Sequence, residues 1–158
     1  MDGLQEKRTQ VVNFLMDLTE EEAKYKPDET KWSVLEIAEH LYLMEIVVHK
    51  QIHYAIDNLE AVEVSEKPIN QTTDRSNKVE APEALQPQGR FHSTEEALSA
   101  LKESREGTLS ILKQYDKQLL ASRAIPHPAF GNMSGLQWIE FIGWHELRHL
   151  EQMKEITA

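Results

Sequence analysis

GLQWIEFIGWHELRHLEQMKEI, residues Gly135 to Ile156, is the stretch that decides the fold. Laid on a helix at about 100° per residue, Trp138, Ile142, His145, His149 and Ile156 fall in one narrow stripe, flanked by Phe141, Gln152 and Met153. Such a stripe is the face a helix buries, yet its middle holds two histidines one turn apart, with both imidazoles pointing the same way. A helix presents two nitrogens to one ion in this way. Two neutral imidazoles buried without partners would cost about 1–3 kcal/mol per unsatisfied group, so something must compensate. A metal ion does so, and so do hydrogen bonds to Glu, Gln or water inside a bundle.

Three more amphipathic stretches lie upstream. Val34, Ile37, Leu41, Met44, Val48, Ile52, Ala55 and Leu59 mark one face of a helix from Val34 to Leu59, about 39 Å long at 1.5 Å per residue. Ser33 with Glu36 gives it a capping box. Leu4, Val11, Leu15 and Leu18 predict an earlier helix from Leu4 to Leu18. Ser93 with Glu96 opens a third long one reaching Leu120, with Ala97, Leu101, Ser104, Thr108, Ile111, Tyr115 and Leu119 inward. Ser134 caps the last. No alternation long enough for a sheet occurs, and PHPAFGNMSG, Pro126 to Gly135, reads as a turn-rich loop. The expectation is an all-α four-helix bundle occupying residues 1–158 as one domain, with a long loop over 60–92 between the second and third helices. A loop of that length is unusual in a compact domain, so it is either functional or a cover over the bundle.

Composition removes several function classes. Seventeen Lys and Arg against 27 Asp and Glu give a net charge of −10, which argues against nucleic acid as a partner and against a polybasic membrane anchor. No apolar run approaches the roughly 18 residues that span a bilayer, and MDGLQEKRTQ lacks a signal peptide's apolar segment, so a cytoplasmic location is expected. There is no cysteine, hence no disulfide, no thiolate nucleophile and no Cys-ligated metal. Because a cytoplasmic location is expected, Asn70 and Asn132, each in an N-x-[ST] match, are not expected to carry glycans.

A third ligand for an ion should come from a facing helix. His40 lies about 80° from the centre of its helix's apolar face, at the edge of the buried stripe. His49 and His53, also four apart, project about 100° and 140° away and read as surface residues or an oligomer contact. His92 and His127 fall in loops, where a solvated ring is expected. His40, His145 and His149 make the better triad. Gln152 and Glu36 are candidates for orienting the ligand rings, Arg105 reads as solvated unless it binds an anion, and Trp138 and Phe141 wall the core.

The runs WSVLEIAEHL (Trp32–Leu41), HPAFGNM (His127–Met133) and WIEFIGWHELRHLEQ (Trp138–Gln152), with APEALQPQGRF (Ala81–Phe91) followed by STEEA, resemble the DinB-like (DinB/YfiT-like) bundle family over nearly the whole chain. The resemblance implies an up-down-down-up helix order and one divalent ion, zinc or nickel, on His40, His145 and His149. It also implies a homodimer. Relatives include enzymes that attach or use low-molecular-weight thiols such as bacillithiol and mycothiol, so a small thiol is the implied substrate and a thiol transferase the implied activity. Three neutral imidazoles leave open positions on the ion, the arrangement of catalytic rather than structural sites. That suits activation of an external thiol, and equally a hydrolase that activates water; a bundle serving only metal binding or dimerisation is the third possibility.

Overall fold

The computed structural model describes residues 3–76 and 80–158; residues 77–79 of the long loop and the first two residues of MDGLQEKRTQ lie outside the described residues. Its four long helices are α1 (Leu4–Met16), α3 (Val34–Asn58), α4 (Thr94–Gln114) and α6 (Gly135–Thr157). Two single-turn helices, α2 (Glu20–Lys24) and α5 (Lys117–Ala121), join them. The caps form where the sequence places them for α3 and α6: Ser33 and Glu36 exchange hydrogen bonds at 2.9 and 3.2 Å, and Ser134 and Gln137 at 3.0 and 3.1 Å. At α4 only half the box closes. Ser93 accepts from the Glu96 amide, but the Glu96 carboxylate takes the His92 amide instead.

Two helix ends differ from expectation, each for a local reason. The first helix stops at Met16 rather than Leu18 because Thr19 and Glu22 build a new capping box that starts α2. The third stops at Gln114 because the Asp116 carboxylate accepts the Leu119 amide at 2.7 Å and starts α5. The turn-rich segment is a hairpin of two four-residue strands, β1 (Ala124–His127) and β2 (Gly131–Ser134), paired from Ala124↔Ser134 to His127↔Gly131. Leu59, expected on the inner face, lies past the end of α3 and is exposed.

Cross-helix partners fix the directions. Glu45, His49 and His53 of α3 meet Ser104, Thr108 and Tyr115 in rising order, so α3 runs parallel to α4. His40 meets His145 while Ile52 lies against Gly135, so α6 runs the other way. Leu4 packs at Gly143, and Val11 and Leu15 share a cluster with Leu150 and Met153, which makes α1 parallel to α6. The order is up-down-down-up.

The core is two apolar clusters. One gathers Val48, Ile52, Ile111, Met133, Trp138, Ile139 and Ile142; the other gathers Val11, Leu15, Val34, Ile37, Leu41, Leu101, Leu150 and Met153. Between them lies a polar layer of two arginines and two glutamates. Arg8 bonds Glu45 at 2.7 Å and Glu146 at 2.5 Å; Arg105 bonds Glu45 at 2.8 Å and also pairs with Glu146. Arg105, expected in solvent, is therefore buried. The helix periodicity could not reveal this, because a basic residue on an inner face is buried only when matching carboxylates face it from other helices.

Candidate metal centre

The three candidate ligand rings come from α3 and α6. Antiparallel packing brings His40 level with His145, and the i, i+4 spacing sets His149 one turn further along α6. His40 and His145 are buried and His149 is half-buried. The His145 Nε2 lies 3.1 Å from the Nε2 of His40 and 3.1 Å from that of His149. Among the described residues these three side chains are the one group whose potential ligand atoms converge, all within 4.8 Å of one another.

Hydrogen bonds orient two of the rings. The Leu85 carbonyl accepts from His40 Nδ1 at 2.7 Å, which puts the proton on Nδ1 and leaves an Nε2 lone pair facing the centre. Gln152 Oε1 does the same for His149 Nδ1 at 2.7 Å. Burial pushes the His145 ring well below its ordinary value, helped by its histidine neighbours, and pushes His149 down to about 3. Burial also lowers His40, against the raising effect of its bond to Leu85. All three are neutral near pH 7, as metal ligands must be.

The donor set fits an ion. At an M–N bond of about 2.05 Å, nitrogens about 3.3 Å apart are tetrahedral and about 2.9 Å apart are octahedral neighbours, and both separations from His145 Nε2, 3.1 Å each, fall between. Two lone pairs aimed at a third nitrogen at that distance are stabilised by a cation in their midst. Trp32 packs on His40 with centroids 5.1 Å apart and Phe141 on His145 at 5.4 Å. Arg148 and Arg75 place positive potential at His149.

The other sequence-singled residues are placed as follows. Gln152 orients His149. Glu36 does not touch His40; it is used in the α3 cap and in an ion pair with Lys26 at 3.3 Å. The capping geometry turns its carboxylate back toward the helix start, and a loop carbonyl takes the role instead. His49 and His53 are half-buried against α4 rather than solvated, bonded to Thr108 Oγ1 at 2.7 Å and to the Tyr115 hydroxyl at 3.0 Å. Parallel packing of α4 along the flank of α3 covers them. His127 is half-buried among Phe130, Trp138 and Phe141. His92 is exposed, as expected.

Three contributors had escaped the sequence. The Leu85 carbonyl is a backbone atom with no residue signature. The Glu39 carboxylate, beside His40, accepts the Gln88 and Arg90 amides at 2.7 and 2.9 Å and ties the long loop to α3. Arg148, beside His149, donates to the Thr72 and Asp74 carbonyls at 2.9 and 2.7 Å. An acid and a base each adjacent to a candidate ligand histidine, in EH and RH, are the available signals.

Comparison with known proteins agrees with this architecture. The chain is 35% identical over 159 residues to the uncharacterized protein YuaE of Bacillus subtilis (strain 168), covering 99% of this chain and 96% of that one. Its fold is similar to the crystal structure of TT2238, a four-helix bundle protein, with a TM-score of 0.62 at 20% identity over 96% of this chain and 93% of the other. The model of the DinB superfamily matches residues 4–153, and the chain belongs to that superfamily.

Proposed function

We propose that this bundle is a metal-dependent transferase that holds one zinc or nickel ion on His40, His145 and His149 and uses it to join a low-molecular-weight thiol to a small electrophile. The observation that carries the metal site is the convergence of three Nε2 atoms with two of the three Nδ1 atoms already tied to oxygen acceptors. A bound divalent ion supplies Lewis-acid chemistry, lowering the pKa of a thiol or water that it coordinates. The chain's own residues do the rest. The neutral imidazoles bring no negative charge, and Arg148 and Arg75 add positive potential beside His149, so an anionic sulfur is favoured there. With no cysteine in the protein, that sulfur comes from a cosubstrate. In the net conversion the thiol S–H bond and the electrophile's carbon–leaving-group bond break, and a carbon–sulfur bond and a protonated leaving group form.

The enzyme acts in the cytoplasm as a homodimer, for which exposed Tyr54 and Leu59, lining one groove with Ala55 and Ile125, supply an apolar surface at the end of α3. No described helix is long and apolar enough to cross a membrane. The first test is elemental content of the purified protein beside His149→Ala, followed by thiol–electrophile conjugation assays. One divalent ion per chain that is lost in the variant, with conjugation that depends on both metal and thiol, is expected. No metal after incubation with zinc and nickel overturns the site. Turnover of esters without any thiol replaces the transferase with a hydrolase.

A further inference from the structure

His127 ends β1 at the turn of the hairpin, opposite Gly131, whose φ of 73° lets the chain reverse. Its Nδ1 accepts the backbone amides of Ala129 and Phe130 at 3.0 and 3.3 Å, which places the ring proton on Nε2. That Nε2–H has no hydrogen-bond partner among the described residues. The ring is held by three aromatic neighbours, Phe130, Trp138 and Phe141, with centroids 5.0, 4.9 and 4.7 Å away. Trp138 and Phe141 precede His145 on the same face of α6, and Phe141 itself packs on the His145 ring. A single ring, Phe141, packs on both His127 and His145, yet His127 is not among the side chains whose ligand atoms converge. It is thus close to the centre and too far to ligate.

We propose that His127 is a positioning residue that donates its Nε2–H to an acceptor atom of the molecule bound at the His40–His145–His149 centre. The proposal rests on the metal-centre reading above and narrows its substrate: a small molecule with an oxygen or other anionic acceptor next to the atom that meets the ion. Burial pushes the His127 ring down to about 4, so it stays neutral and keeps a single, fixed N–H. Its donor is preorganised by the two turn amides that fix Nδ1, and it carries no charge.

The test uses azide as the probe, binding to the cobalt-loaded protein and followed by visible absorption. His127→Asn keeps an oxygen where Nδ1 accepts the turn amides but removes the outward donor. His127→Gln restores an N–H near the Nε2 position. Cobalt content is expected to be the same in all three proteins, azide affinity to fall about tenfold in the Asn variant, the size of one hydrogen bond, and to recover in the Gln variant. Unchanged azide affinity in cobalt-loaded His127→Asn overturns the donor role alone. Failure of the wild type to take up cobalt overturns the metal centre and this proposal with it. If the Asn variant does not fold, NMR of the zinc-loaded wild type decides: the His127 Nε2–H proton should move on azide addition, and a static resonance refutes the proposal.

Discussion

Replacing Glu45 by Gln tests the account of the polar layer most directly. Glu45 is fully buried and accepts from Arg8 at 2.7 Å, Ser104 at 2.7 Å, Arg105 at 2.8 Å and Thr108 at 2.6 Å. The substitution keeps the shape and removes the charge, leaving two guanidinium groups to share Glu146. Burial disfavours a charged Glu45, but Arg8 and Arg105 outweigh burial and hold the carboxyl at about 2, down from 4.5. That difference corresponds to about 3 kcal/mol at 1.36 kcal/mol per unit. It agrees with the roughly 3–5 kcal/mol seen when one partner of a buried pair is removed. Against a total stability of roughly 5–15 kcal/mol this is a large fraction.

Urea unfolding followed by circular dichroism should show Glu45→Gln losing about 3 kcal/mol near pH 7 with an unchanged m-value. The pH dependence has a definite sign. The folded pKa lies below the unfolded one, so the stabilisation from Glu45 is fully present above about pH 4.5 and fades as pH falls toward about 2. The penalty of the substitution should therefore shrink between pH 6 and pH 3. Glu146, which burial shifts upward against the pull of Arg8 and Arg105, works in the opposite direction, and because the Glu45 charge also raises it, the substitution moves the Glu146 titration downward at the same time. Adding Arg8→Met to Glu45→Gln rebalances the layer at one arginine and one glutamate, so the pair should cost at least about 1 kcal/mol less than the sum of the singles. A loss under about 1 kcal/mol, a pH-independent penalty or strict additivity would refute the charge-balance argument.

Other perturbations read different parts of the structure. Glu39→Ala frees the Gln88 and Arg90 amides and with them the segment that presents the Leu85 carbonyl to His40, so zinc affinity measured by chelator competition should fall about 10–100-fold. Gln152→Ala removes the acceptor of His149 Nδ1 and should weaken zinc by a similar factor with little change in melting temperature of the metal-free protein. A Cβ at Gly107 would lie 2.7 Å from His49 Cε1, so Gly107→Ala should cost about 1–3 kcal/mol in thermal unfolding, and His49→Ala should relieve much of it. His145→Ala should abolish the rise in melting temperature that saturating zinc gives the wild type.

The sequence showed most of the bundle and all three convergent histidines, because both are written in helical periodicity. The stripe on α6 and the ladder on α3 needed only the 3.6-residue repeat and two serine caps to be placed. Periodicity fails where burial depends on partners from other helices. Arg8, Glu45, Arg105 and Glu146 are ordinary surface residue types one at a time, and only their mutual packing makes the inner layer. His49 and His53 were misjudged for a related reason: the angle from the apolar centre was right, but α4 covers that flank. The hairpin escaped because strands of four residues with a proline and a glycine give no alternation to detect. The breaks that start α2 and α5, by contrast, are readable in the capping residues Thr19, Glu22 and Asp116.

The length of the 60–92 segment has a physical explanation in where its ends are fastened. Described parts of it meet the site at three places: Arg148 holds the Thr72 and Asp74 carbonyls, His40 holds the Leu85 carbonyl, and Glu39 holds the Gln88 and Arg90 amides. Each of these side chains is either a convergent histidine or its immediate neighbour in sequence. Ile69 and Leu85 bury their side chains as apolar anchors along the way. A short connection from α3 to the start of the parallel α4 could retrace the bundle's length, but it could not also run past both His40 and His149. The extra residues thus let the loop contribute a ring-orienting acceptor to His40 while reaching Arg148 as well. Its register is set by an acid and a base that the same two helices carry beside their histidines. Shortening the loop between residues 74 and 82 should therefore leave the bundle folded while loosening its hold on zinc.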